Sequence, residues 1–231
     1  MLKCLNAETP SYLSPLKLKG EGTMPMYAVI SDIHGNPETL KTALLTAKNK
    51  KADWVLLLGD LLNHGPRNGL PATYDPMQIS EIVNEIAPFT VAVKGNCDSE
   101  VDEMLIKLPI NSVSNTLIIG GHKAFMTHGH RFKPEQAAAY GLSAGDIFMS
   151  GHTHQAVLEV DANGIVILNP GSITFPKSAK NIACLKNNPQ KTMAFINEEK
   201  IYLTTIEGEE LASLNLENVS LVGFSSSNRK L

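Results

Sequence analysis

The sequence is poor in cysteine. Cys4, Cys97 and Cys184 are the only three in 231 residues, an odd number at irregular spacing, which argues against a disulfide framework and fits a reducing, cytoplasmic compartment. It also lacks any apolar run near the roughly 18 residues that a membrane span needs. Residues 1–25 hold lysines and prolines but no continuous apolar stretch, so they do not read as a secretory signal. The Lys19-Gly20-Glu21-Gly22 run marks them as a flexible extension without a function of its own. There is no excess of positive charge either. Twenty Lys and Arg stand against 23 Asp and Glu, a formal net charge of −3, which offers no general attraction to nucleic acid or to anionic membranes. Internal repeats are absent. What is present, 43% apolar and 19% charged residues, suits one soluble domain with one generous core.

Along the chain the first half alternates strand and helix. Apolar runs at Met26–Ser31, Trp54–Leu58 and Phe89–Val93 read as buried strands. Between them, helices are expected from Pro37 to about Asn49, opened by Asn36-Pro37-Glu38, and over Pro76–Ile86. A β-α-β-α-β order predicts a parallel sheet with helical crossovers. After a helix near Glu100–Leu108 the signals become those of hairpins. Thr116–Ile119 and Lys123–Thr127 flank Gly120-Gly121, Val157–Val160 and Ile165–Leu168 flank Asn163-Gly164, and Met193–Ile196 pairs with Ile201–Thr205. A short helix over Pro134–Tyr140 and a strand at Ile147–Met149 lie between. Two stacked sheets with helices outside are expected for residues 26–206, followed by a tail over 207–231 whose Ser- and Asn-rich end from Leu214 frays.

The polar residues gather just after predicted strands. Asp32-Ile33-His34 follows the first, Gly59-Asp60 with Asn63-His64-Gly65-Pro66-Arg67 the second, and Gly95-Asn96-Cys97-Asp98 the third. Thr127-His128-Gly129-His130 ends a hairpin strand, and Gly151-His152-Thr153-His154 follows Met149-Ser150. Ligands bind at the carboxyl ends of strands in open α/β sheets, so these clusters should converge. Each alone is weak: Asp-x-His is more often a loop or a cap, and Gly-Asp a turn. Together, in order, they form a carboxylate, imidazole and carboxamide set suited to Mn, Fe, Zn and similar divalent ions, with no thiolate pair for a structural zinc. Seven donors exceed one tetrahedral ion and suit two ions about 3.5–4 Å apart, which clamp the attacking and leaving oxygens of a phosphoryl displacement.

This ordered set resembles the calcineurin-like metallophosphoesterase superfamily. Within it, Gly59–Arg67, Gly95–Glu100, Thr127–His130 and Asn169-Pro170-Gly171-Ser172 are similar to the bacterial YfcE-type phosphodiesterases, over about Met26 to Leu203. The resemblance implies a four-layer α/β/β/α sandwich of two mixed sheets. It also implies a first metal on Asp32, His34 and His154, a second on Asn96, His128 and His152, and Asp60 as the bridge. The ions would be Mn²⁺ by preference, with Zn²⁺, Fe²⁺, Ni²⁺ or Mg²⁺ able to substitute. A hydroxide bridging the metals would attack the phosphorus of a small phosphodiester.

Cys97 is a departure, because many superfamily members carry there a histidine thought to protonate the leaving group, and a thiol is a different acid and a poor donor. Asn96, Cys97, Asp98 and His130 are the candidate catalytic side chains, with His130 and His64 as substitute acids. Cys97 has an equal structural reading, as a small residue filling a gap. His64 and Arg67 are candidate substrate contacts, the latter through its planar fork. Asn169–Ser172 is expected to shape a turn. A phosphomonoesterase on the same site is the nearest rival reading. A non-catalytic module with the retromer-subunit fold is more remote, since all seven ligand positions are filled. A nuclease lacks a basic platform. Exposed sheet edges leave a homo-oligomer open.

Overall fold

The computed structural model describes residues 24–222. The extension expected to be flexible, as far as residue 23, and the part of the end expected to fray from residue 223 lie outside the described residues. In chain order the elements are β1 (Tyr27–Ile30), α1 (Pro37–Asn49), β2 (Trp54–Leu57), α2 (Pro76–Ile86), β3 (Thr90–Ala92) and α3 (Glu100–Leu105). The second half adds β4 (Ser114–Ile119), β5 (His122–Thr127), β6 (Ile147–Met149), β7 (Ala156–Val160), β8 (Val166–Pro170), β9 (Thr192–Ile196), β10 (Lys200–Thr205), β11 (Glu210–Asn215) and α4 (Leu216–Val222).

The helices begin where the capping chemistry puts them. Asn36 accepts from Thr39 N, and Asp75 from Gln78 N, with a proline in the first turn of each helix. Ser99 and Asp102 form a reciprocal capping box at the head of α3.

Alternation along the strands decides how the layers stack. In β1 and β2, Ala28, Ile30, Val55 and Leu57 face one way, into a cluster with Leu40, Ala43, Leu44, Ile79, Ile82 and Val83 of α1 and α2. Val29 and Leu56 face the other way and meet Met126, Ile147, Met149, Val166 and Leu168 of the second sheet. Side chains of a strand alternate between faces, so a strand apolar on both needs a layer over each. The second sheet repeats the pattern. Phe148 and Ile167 turn outward and are covered by Ala137 and Leu142. Ala137 lies in a 3-10 helix over Pro134–Tyr140, so this outer layer is thinner than the one formed by α1 and α2. The order is helix, sheet, sheet, helix, the metallophosphoesterase sandwich expected from the sequence. Phe148 and Phe195 are among the largest fully buried side chains, and truncating either to alanine is expected to cost about 3–5 kcal/mol.

The first sheet runs β11-β10-β9-β1-β2-β3 and the second β4-β5-β6-β8-β7. β1, β2 and β3 are parallel to one another, as are β5, β6 and β8. β11 pairs antiparallel with β10, so the sheet continues past residue 206 and into the segment read as a tail. Within the same segment, Leu216 and Val219 of α4 join the inter-sheet core.

Candidate metal centre

The loops leaving the parallel strands meet at one end of the sandwich, and backbone hydrogen bonds fasten them together. Asp32 N donates to Gly59 O (3.2 Å), His34 N to Asp60 O (3.0 Å) and Gly35 N to Leu61 O (2.9 Å), so the turns after β1 and β2 run side by side. Gly151 N donates to His128 O at 3.0 Å and joins the turns after β5 and β6. Two contacts cross between the sheets: His152 N donates to Asp32 Oδ2 (3.0 Å) and His128 Nδ1 to Leu58 O (2.7 Å). Glycine is required where these turns touch. A Cβ on Gly95 would strike Asp60, and one on Gly151 would strike Ser31 and Asp32.

Asp32, His34 and His154 bring one ligand atom each within 4.8 Å of one another, as do Asp32, Asp60 and His128. Asp60 stands between the groups, its Oδ2 3.8 Å from His34 Nε2 and 3.4 Å from His128 Nε2. Asn96 Oδ1 lies 3.0 Å from His128 Nε2. The His152 ring packs against that of His128 with centroids 5.1 Å apart. All seven residues named as ligands from the sequence are thus neighbours in one centre.

Three of the histidines are locked by their outer nitrogens. Nδ1 of His34, His128 and His154 donates to the carbonyls of Asn63 (2.8 Å), Leu58 (2.7 Å) and Phe175 (2.8 Å). That fixes each ring's orientation and turns Nε2 inward, the arrangement that metal-binding imidazoles take from a backbone partner. Nε2 of His34 and Nε2 of His154 approach to 3.2 Å. With both lone pairs aimed at the same point, a cation relieves their repulsion. Asp32 Oδ1 is buried beside them with no hydrogen-bond partner, although His154 Nε2 is 3.3 Å away. A buried, unsatisfied carboxylate oxygen facing converging lone pairs fits a divalent ion.

The backbone is strained at the same residues. Asp32, His34, Asp60, His152 and His154 all have φ between 50° and 67°, and Lys51 is the one other non-glycine among the described residues with positive φ. Each costs about 1 kcal/mol or more. Strain gathered on five of seven candidate ligands marks a site whose geometry the surrounding fold imposes.

Charge follows the geometry. Burial would raise the Asp32 carboxyl, but His154, His34 and His128 carry it well below the usual carboxylate range. Burial would lower His128, yet Asp60 and Asp32 push it up to about 9. His152, lacking so close a carboxylate, is lowered by burial and by the charge of His128 to about 4.

The other residues named from the sequence fall into different places. Asp98 is buried and points into backbone: it accepts from Asp60 N (2.9 Å), Leu61 N (2.7 Å) and Gly95 N (2.7 Å). Burial and the charge of Asp60 raise its carboxyl to about 6. Cys97 lines the cleft, with its N–H on Asp60 Oδ1 at 2.8 Å; burial and Asp60 push its thiol up to about 12. Arg67 lines the cleft as well, whereas His64 and His130 do not. His130 packs on the rings of His128 and His152 with centroids 5.5 and 6.2 Å away. His64 packs edge-on against Tyr74. Ser172 holds its turn, donating to Asp32 O (2.9 Å) and accepting from Thr174 N and Phe175 N. Three contributors were not singled out from the sequence. Ser31 donates to Asp32 Oδ2 at 2.7 Å, Phe175 packs against His34 and His154, and Lys177 lines the cleft. A serine next to Asp32 was the one available signal.

Comparison with known proteins agrees with this geometry. The family profile described as the calcineurin-like phosphoesterase superfamily domain matches residues 26–190. Phosphodiesterase YfcE of Escherichia coli strain K12 is 40% identical over 173 residues, covering 74% of this chain and 92% of that protein. Among solved structures, the E. coli phosphoesterase YfcE superposes with a TM-score of 0.72 at 33% identity, over 83% of this chain and 99% of that one. Entamoeba histolytica Vps29 complexed with zinc superposes with a TM-score of 0.53 at 25% identity, over 83% and 99%.

Proposed function

The chain belongs to the calcineurin-like phosphoesterase superfamily and is a metal-dependent phosphoric ester hydrolase; we propose that it is a dinuclear phosphodiesterase acting on small substrates. The observation that carries this reading is the placement of Asp60 between two donor groups, His34 with Asp32 and His154 on one side and His128 with Asn96 on the other. On this reading Asp32, His34 and His154 would hold the first ion and Asn96, His128 and His152 the second, with Asp60 shared between them. The donor set suits Mn²⁺ and tolerates Zn²⁺, Fe²⁺, Ni²⁺ or Mg²⁺. Two such ions supply Lewis acidity at the phosphoryl oxygens and a lowered pKa for water.

The chain's own residues supply position. Carbonyl anchors keep the rings of His34, His128 and His154 from turning. Asp98 acts through the backbone of Gly95, Asp60 and Leu61 and is a positioning residue. The Asn96 Nδ2 donates to Cys97 Sγ at 3.2 Å; on this reading it would stabilise charge on a phosphoryl oxygen. Cys97 keeps its proton. Arg131 Nε donates to His130 Nε2 at 3.2 Å, which assigns the ring proton to Nδ1, and that atom is buried without a partner. His130 lies below the ordinary histidine pKa through burial and the charge of His128, and it stands outside the cleft wall, so it backs the His128 and His152 rings rather than meeting the departing oxygen.

The E. coli relative's name supports a diester over a monoester, and the filled ligand positions support an enzyme over an interaction module. Among the described residues no helix is long and apolar enough to cross a membrane, and Cys97 and Cys184 are free, in keeping with a cytoplasmic enzyme. The test is hydrolysis of bis-p-nitrophenyl phosphate by metal-stripped protein with and without Mn²⁺. Turnover that depends on the ion is expected. Folded, ion-loaded protein that cleaves only p-nitrophenyl phosphate would show a monoesterase, and silence on both would leave the interaction module.

A further inference from the structure

Arg67 and Lys177 both line the cleft and both are exposed. Lys41, Lys94 and Lys200 each hold a glutamate; among the described residues Arg67 and Lys177 hold no carboxylate. The acidic residue lining the cleft is Asp60, and its oxygens are committed, Oδ1 to Cys97 N and Oδ2 toward His128. Two positive charges therefore face the same space with nothing in the protein opposite them.

Their placement is not that of loose surface side chains on wandering loops. His34 Nδ1 donates to Asn63 O at the head of the loop that carries Arg67, and His154 Nδ1 donates to Phe175 O two residues before Lys177. Lys177 N returns a bond to His154 O at 2.9 Å, and Lys177 bridges Gln155 in parallel register. The Arg67 loop is pinned again by Gly65 N on Asn63 Oδ1 and by Asn68 Nδ2 on His64 O, both 2.8 Å. Both cation-bearing segments thus hang from histidines of the Asp32–His34–His154 group. His34 and His154 of that group line the cleft themselves, beside Asn96 and His152 of the other.

A phosphodiester brings one negative charge, at phosphorus, and that charge belongs at the floor of the site. The cleft measures about 420 Å³, within the range of pockets that enclose whole small molecules rather than a bare phosphate. We propose that the ester arm lying over the Asp32–His34–His154 group carries a second anionic group, a carboxylate or a further phosphate, gripped by Arg67 and Lys177, and that Lys177 is a specificity-determining residue for it. Arg67 contributes a planar two-pronged donor and Lys177 a point charge, a combination that accepts either anion. This inference rests on the phosphodiesterase reading and names the substrate class within it.

Three p-nitrophenyl diesters with the same leaving group test it, their second arms being ethyl, 2-carboxyethyl and 2-phosphoethyl. The Mn²⁺-loaded enzyme is expected to show kcat/KM about tenfold higher on an anionic arm than on the ethyl arm, the gain of one charged hydrogen bond. The better of the two anionic arms identifies the group. In Lys177→Gln and in Arg67→Gln that preference should shrink severalfold, through KM rather than kcat. Turnover of all three without preference, or a loss in the variants that is equal across the three arms, overturns the inference alone. Silence on all three overturns the phosphodiesterase reading and the inference with it.

Discussion

In the proposed half-site of Asp32, His34 and His154 every donor is buried, with 0%, 1% and 5% of each residue exposed, whereas in that proposed for Asn96, His128 and His152 only His128 is buried and Asn96 is open. Both rings of the first half are anchored at Nδ1; in the second half His128 alone has a carbonyl anchor. The first half also carries Phe175 packed against its two histidines. Residues of both halves line the cleft, but the first is more buried and better anchored than the second. Electrostatic interactions are stronger where water is excluded, so on the proposed assignment the first ion is held tightly and the second exchanges more readily.

The largest effect is expected at the residue the halves share. Asp60→Asn should lower kcat by about a thousandfold or more, because it removes the bridge and both ions' arrangement with it. Steady-state rates read beside metal content check this, and retention of two ions with a small rate loss would break the scheme. Next come the two histidines that distinguish the halves. In a calorimetric titration of metal-stripped protein, His154→Gln should weaken the tighter binding step and His152→Gln only the weaker one, each by about a hundredfold. If both variants weakened the same step, the asymmetry would be lost. Ser172→Ala should destabilise the metal-free protein by about 1–3 kcal/mol in urea unfolding, since it strands three backbone groups beneath the first half-site.

A further effect is expected on the pH profile of metal-free stability, where His128 and His152 act in opposite senses. His128 is raised to about 9 in the folded protein, so its contribution is complete below the unfolded value near 6.5 and is lost as pH rises through about 9. His152 is lowered to about 4, so the unfolded chain takes up its proton first and stability falls as pH drops from about 6.5 toward 4. His128→Gln should flatten the alkaline limb and His152→Gln the acid limb. Either substitution acting on the opposite limb would contradict the charges described for the site.

Much of this was legible in the sequence because side-chain identity carries it. The five polar clusters each follow an apolar strand run, and a parallel sheet brings strand ends together, so convergence of Asp32, Asp60, Asn96, His128 and His154 followed from order alone. The hairpin of β7 and β8 was likewise announced by Asn163-Gly164. What stayed hidden is carried by backbone. The anchoring carbonyls of Leu58, Asn63 and Phe175 have no residue signature, and nothing in Phe175-Pro176-Lys177 announces that the segment folds back on His154. Asp98 could be placed in the motif but not aimed; only the structure turns it toward Asp60 N and Leu61 N. β11 was missed because its residues are half-exposed and lack a clean alternation, as befits an edge strand that meets the inter-sheet core only through the partly buried Leu211, Ala212 and Leu214.

The most direct test is the electron paramagnetic resonance of metal-stripped protein titrated with Mn²⁺. At one equivalent the expected spectrum is that of a single isolated ion in the tighter half-site. At two equivalents that signal should give way to the broadened spectrum of two exchange-coupled ions about 3.5–4 Å apart, and Asp60→Asn should not show it. An isolated-ion signal that simply doubles between one and two equivalents would contradict a shared, Asp60-bridged centre.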